Sequence, residues 1–180
     1  MLFRSLKIAA VEGQYNGRAI FVNELTDDLH VNNCELSGAY SFVLINAGTT
    51  NHSLYFEDTK FNSVIDIDDA TKSVNFLSCI FNSTLRLEGA QQPSESKQTA
   101  EKPGVVLVNC EFTENAILDV SRLGVNQVIV LRNCTIGGQV IPEAVIVCGE
   151  NGVAYVDGNN VPLVVDQDSE KVVFTGTQTN

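Results

Sequence analysis

The phrase "LSCIFNSTLRLEG", Leu77 to Gly89, returns in altered form four more times along the chain. Aligned on its cysteine, the set is "LHVNNCEL" (29–36), "LYFEDTKF" (54–61), "VNFLSCIF" (74–81), "VVLVNCEF" (105–112) and "VIVLRNCTI" (128–136), the last with one extra leading residue. The anchors are Cys34, Thr59, Cys79, Cys110 and Cys134, spaced 25, 20, 31 and 24 residues apart. Two residues on stands Leu36, Phe61, Phe81, Phe112 or Ile136; three before stands Val31, Phe56, Phe76, Leu107 or Leu131. Five before stands Leu29, Leu54, Val74, Val105 or Ile129. Four apolar columns kept through five copies are the mark of a stacked repeat, in which each unit buries its face only against its neighbours.

Parity within the repeat adds a bend. Positions −5 and −3 share one strand face, and so do positions 0 and +2, but the alternation slips by one between −3 and 0. All four columns face inward only if the chain turns at the residue before the anchor, which is Asn33, Asp58, Ser78, Asn109 or Asn133. Asn and Asp tolerate left-handed backbone angles, and all three residue types bond locally to the backbone. After +2 comes a polar break and a third short strand, with Ile65 and Ile67, Leu85 and Leu87, or Leu118 and Val120 inward. Three short strands per repeat describe an all-β fold, a single-stranded parallel β-helix or β-solenoid of about 20–25 residues per coil.

The expected organisation is an N-terminal cap or first coil over 1–28, coils over 29–142, and a last coil, cap or association element over 143–180. Within the coils, "AQQPSESKQTAEKPG" (90–104) is polar and reads as a mobile lateral loop. "DGNN" (157–160), between strand-like runs, suggests a hairpin or tight turn. Cys148 is followed by Gly149 instead of an apolar +2 residue and stays off the ladder.

Composition agrees with strands. Hydrophobic residues make up 44% of the 180, yet aromatics only 7%, with no tryptophan, so Val, Ile and Leu dominate. Eleven basic residues against 22 acidic ones give a formal charge of −11, which disfavours nucleic acid and anionic membrane surfaces. No stretch approaches the roughly 18 apolar residues of a membrane span, so no membrane insertion is expected. The opening "MLFRSLKIAAVEGQ" lacks an unbroken apolar region and reads as mature protein, not as a signal peptide.

Five cysteines without a CxxC pair fit neither a disulfide framework nor a zinc site, and are compatible with a reducing cytosol. Cys34, Thr59, Cys79, Cys110 and Cys134 form an expected inward ladder of small side chains, in which a buried thiol acts as a small hydrophobe. Adjacent rungs come within disulfide range, so a Cys79–Cys110 bridge stays open. Neither His30 nor His52 is placed to activate a thiol.

The third strand supplies the candidate chemistry. Its first outward column holds Asp66, Arg86 and Asp119; its second holds Asp68, Glu88 and Ser121. Carboxylates one or two strand spacings apart, about 5 or 10 Å, are the separations glycosidases use. Alternating signs in Asp66, Arg86 and Asp119 equally describe a charged sheet surface. Asp68 beside Glu88 would raise one pKa or recruit a cation. Asp66, Arg86, Asp119 and Tyr55, on an outward strand position, are candidate binding residues. No metal or cofactor motif is present.

The coil pattern, bend asparagines and inward ladders of residues 29–142 resemble the right-handed parallel β-helices of the pectate lyase-like class. That class includes polysaccharide lyases and hydrolases, bacterial adhesins and bacteriophage tailspike or fibre domains. The resemblance carries no catalytic signature onto this chain. It implies, first, a structural or interaction module of a phage tail or spike, assembled in the host cytoplasm and carried in the virion. Its partners would be other virion proteins or cell-surface carbohydrate, and a spike would be a homo-oligomer, most often a trimer. The alternatives are a lyase or glycoside hydrolase using Asp68, Glu88, Asp66 or Asp119, and an extracellular adhesin fragment.

Overall fold

The computed structural model describes residues 1–10, 17–45, 51–68, 71–89, 98–99, 101–124 and 126–148, and the backbone of three further strands at 154–157, 163–166 and 171–175. The chain is a parallel β-solenoid of about five coils. Coil one is β1 (Leu2–Arg4), β2 (Lys7–Ala9) and β3 (Arg18–Val22). Coil two is β4 (Leu29–Asn32), β5 (Glu35–Ser37) and β6 (Tyr40–Ile45). Coil three is β7 (Ser53–Glu57), β8 (Lys60–Phe61) and β9 (Val64–Asp68). Coil four is β10 (Ser73–Leu77), β11 (Ile80–Phe81) and β12 (Leu85–Gly89). Coil five is β13 (Val105–Val108), β14 (Glu111–Phe112) and β15 (Ile117–Leu123).

The register sets like against like. Leu54 pairs with Leu29 and Val74, Phe56 with Val31 and Phe76, and Phe81 with Phe61 and Phe112. Stacking follows from that register: Phe61 and Phe81 lie 5.4 Å apart at 9°, Phe81 and Phe112 4.5 Å apart at 13°. Neighbouring columns meet edge to face, as Phe76 does with Phe81 at 5.2 Å and 73°. Each such aromatic pair adds about 0.5–1.5 kcal/mol beyond its buried area.

The bend before the anchor is left-handed in every coil. Asn33, Asp58, Ser78, Asn109 and Asn133 have φ of 50°, 48°, 53°, 53° and 51°. Ser5, at 55°, makes the same bend in coil one, where Leu6 takes the anchor position. Left-handed geometry keeps the ladder continuous: the N–H of Asn33 donates to Glu57 O, Asp58 to Leu77 O, and Ser78 to Val108 O, each at 2.9 Å. The anchor side chain then donates to its own −2 carbonyl. Thr59 Oγ1 reaches Glu57 O at 2.9 Å, and Cys34, Cys110 and Cys134 reach Asn32, Val108 and Arg132 O at 3.3, 3.4 and 3.5 Å. In the four coils anchored by Cys34, Thr59, Cys79 and Cys110, and at Cys134, the anchor is thus a small, largely apolar donor, a role that Cys and Thr suit and that Leu6 of coil one does not fill.

The parallel stack ends in reversal. β16 (Val128–Ile136) runs through two faces, pairing in parallel with β13 and β14. Gly137 and Gly138, both at positive φ, turn the chain tightly into β17 (Gln139–Cys148), which pairs antiparallel along β16. β18 (Ala154–Asp157) adds to β17, while β19 (Leu163–Asp166) and β20 (Lys171–Thr175) seal the third sheet antiparallel beside β15. Cys148 is 2% exposed and belongs to the core, although it lacks the repeat's +2 residue. The turn read from "DGNN" falls on residues that, after Asp157, lie outside the described ones.

The foot of the lateral loop is tied down. Gln98 is 5% exposed, and its Oε1 accepts from Gly104 N at 3.0 Å and Val128 N at 2.6 Å. Its Nε2 donates to Gln127 Oε1 at 2.8 Å. Residues 90–97 lie outside the described set.

Candidate functional site

All five cysteines are free and buried. The Cys110 thiol is pushed up to about 12: its bond with Cys134 pulls the other way but is outweighed by Cys79 and burial. Cys134 is raised by its bond with Cys110 and by burial, and Cys148 is raised by burial to about 11. Thiols held protonated and away from solvent are packing, not nucleophiles.

The charged side chains of interest stand on the outer face of the third sheet. Ile65 and Ile67, Leu85 and Leu87, and Leu118 and Val120 point inward, so strand alternation puts Asp66, Arg86 and Asp119 outside in one column. Arg86 pairs in register with both acids. Its Nη1 is 3.6 Å from Asp66 Oδ2, and its Nε donates to Asp119 Oδ2 at 3.4 Å.

The two acids differ in support. Burial raises Asp119, but the side-chain and backbone hydrogen bonds of Ser121, at 2.6 and 3.1 Å, outweigh it together with Arg86 and leave the carboxyl below its ordinary value. Asp66 lacks such donors. Burial lifts it above its ordinary value, Asp68's charge adds to this, and Arg86 opposes it only in part. Its Oδ1 is buried without a hydrogen-bond partner.

The second column differs from the sequence expectation. Glu88 stands opposite Arg122, not Ser121, because a bulge between Arg86 and Glu88 sets one extra residue of β15 against β12. Arg122 Nη1 donates to Glu88 Oε1 at 2.5 Å, while Ser121 turns to Asp119. Arg122 and Arg18 are the members that sequence reasoning missed, and Tyr40, a candidate stacking surface for sugar, had no strand position assigned to it. The bulge hid the first, and coil one's lack of a cysteine anchor hid the pairing of Arg18 with Tyr40. Arg18, Tyr40, Asp66, Asp68, Glu88 and Arg122 line a recess of about 220 Å³.

Tyr55 does not join this recess. It lies on β7 of another sheet, stacked on His30 at 4.6 Å and 10°, in a separate recess with Arg4, Asn32 and Glu57. Among the described residues no group of three or more His, Cys, Asp or Glu side chains is placed to hold a metal ion. No helix among the described residues is long and apolar enough to cross a membrane.

No protein-family model, no curated protein and no solved structure matches the chain.

Proposed function

We propose that the chain is a structural and interaction module of a bacteriophage tail or spike, a rigid post whose outer faces bind other virion proteins or cell-surface carbohydrate. The observation that carries this reading is the engagement of the outward carboxylates: Asp66 and Asp119 share Arg86, and Glu88 is held by Arg122. Hydrolysis needs one carboxyl free to protonate a leaving oxygen and a second facing the reacting carbon across open space. Here a guanidinium fills the space between the pair. The repeat, stacked through aromatic columns, supplies stiffness, and free buried thiols suit assembly in a reducing cytoplasm.

A polysaccharide-degrading enzyme is the second reading. It is favoured by the opposite displacement of Asp66 and Asp119 beside a recess that also holds Asp68 and Glu88. The test is incubation of the purified chain, and of its Asp68→Asn/Glu88→Gln variant, with a panel of bacterial surface polysaccharides. The structural reading expects no new reducing ends or unsaturated products from either protein. Cleavage by the parent that disappears in the variant overturns it. Antibody labelling of particles from a phage that encodes the chain, seen by electron microscopy, tests the virion assignment: unlabelled tails reject it.

A further inference from the structure

The two ends of the solenoid are not equivalent. At the C-terminal end, β17 and β20 return antiparallel over the last parallel strands, and exposed Pro142 and Glu143 interrupt the outer side of β17. At the N-terminal end, β1, β2 and β3 stand at the ends of their sheets with no further strand beside them among the described residues. That end is apolar. Leu2 is 62% exposed, and Met1, 72% exposed, and Phe21, 48% exposed, line a recess of about 480 Å³ with Phe3, Ile20 and Leu25, rimmed by Glu24 and Asp27. An open strand edge beside exposed apolar side chains is a docking surface.

The charges at its corners identify the occupant. The corner between β1 and β2 carries exposed Arg4 and Lys7, the latter paired with Glu35 of the next coil at 2.6 Å, and the corner between β3 and β4 carries exposed Glu24 and Asp27. A two-fold axis perpendicular to the solenoid, through the middle of β1, lays β1 antiparallel on its own copy and exchanges β2 with β3. The same operation sets each basic corner on the partner's acidic corner, twice, so that each apolar recess, which lies at the acidic corner, meets the partner's β1–β2 corner with its exposed Leu6. An axis through the middle of β3 instead sets the basic corner on itself, where like charges oppose it. We propose that two copies of this chain associate head to head through their first coils, as an isologous dimer with antiparallel β1 strands at its centre. This does not rest on the virion reading.

Sedimentation equilibrium of the 180-residue chain tests it. The parent is expected at twice the chain mass. Arg4→Glu and Glu24→Lys/Asp27→Lys each change only exposed side chains, and each is expected to raise the dimer dissociation constant about tenfold or more, since each change puts like charges together at both corners. The dimer should return when the two variants are mixed in equal amounts, because the reversed charges then face each other at one corner and the unchanged charges at the other. Circular dichroism confirms that each variant is folded. A parent that stays monomeric at about 100 µM, as it would if a different protein or further chain covers this end, overturns the proposal. So does a trimer, a dimer indifferent to both reversals, or a mixture that does not re-form.

Discussion

Gln98 accepts the backbone N–H of Val128 at 2.6 Å, so a side chain from the lateral loop does what a strand carbonyl does elsewhere in the stack. The same oxygen serves Gly104, and a Cβ added at Gly104 would meet Gln98 within 2.9 Å. Gln98→Ala leaves a buried N–H without its partner, at a cost of about 1–3 kcal/mol. Urea unfolding of parent and variant measures it. An unchanged midpoint would mean that this loop foot is not part of the cooperative unit.

The carboxyls on either side of Arg86 predict opposite pH profiles. Asp119 titrates below its ordinary 3.8, so its stabilisation is present above that value and lost as pH falls through the lowered folded one. Asp66 titrates above 3.8, so ionising it disfavours the fold increasingly from 3.8 up to its raised value. Asp119→Asn is therefore expected to destabilise at pH 7 and to match the parent in strong acid. Relative to Asp66→Asn, the parent loses stability from pH 3 to pH 7. Guanidinium titrations at both pH values show whether the two differences have opposite signs.

The anchor ladder predicts a distinction between two substitutions of similar size. Thr59→Val removes the donor that reaches Glu57 O, and the acceptor 3.4 Å from Cys34 N, at about 1–3 kcal/mol. Thr59→Cys restores the ladder's usual residue and is expected to cost less than about 1 kcal/mol. Equal losses for both would deny that the donor matters.

Reactivity of the thiols gives an independent reading of the same ladder. With all five cysteines buried and Cys110 raised to about 12, a chromogenic disulfide reagent at pH 8 is expected to label none in the folded protein. It should label five after denaturation. Fewer than five in denaturant without reductant would reveal a disulfide.

At the bends, conformation alone sets the cost. Ser78→Val places a β-branched residue at a φ of 53° and is expected to cost about 1–2 kcal/mol. Ser78→Gly should stay within about 1 kcal/mol of the parent. Thermal unfolding of the pair separates backbone strain from loss of the hydroxyl.

The four inward columns were legible because an error of one residue would turn a whole strand's apolar set to water. The bend was legible for the same reason, since only a turn at Asn33 or Asn109 brings −3 and 0 to one side. Residues 1–28 were read as a cap or a first coil without a choice between them, because Leu6 stands where the repeat has Cys or Thr and Ser5 alone carries the bend. Arg122 was missed because a bulge shifts register without any signal in apolar periodicity. The β16–β17 hairpin did have a signal: Gly137-Gly138 between two strand runs. At the candidate site, the spacing placed Asp66, Arg86 and Asp119 in one column. It did not foresee that Ser121 would hold one acid and leave the other with Arg86 alone and one buried oxygen unpartnered.

The Gly137-Gly138 turn also bears on the order in which the molecule assembles. Every parallel pair in the stack joins strands separated by a whole coil, whereas β16 and β17 are joined by two residues and are the cheapest pair to close. The Gly137-Gly138 hairpin, with the short-range pairs β17–β18 and β19–β20, is thus able to form before the parallel coils. Pulsed hydrogen exchange during refolding reads this directly: Val130 and Val145 amides gain protection ahead of Phe56 and Phe76, and simultaneous protection would rule it out. Coils then add onto a finished template, so the solenoid winds from its C-terminal end towards its N-terminus, against the direction in which the ribosome delivers it.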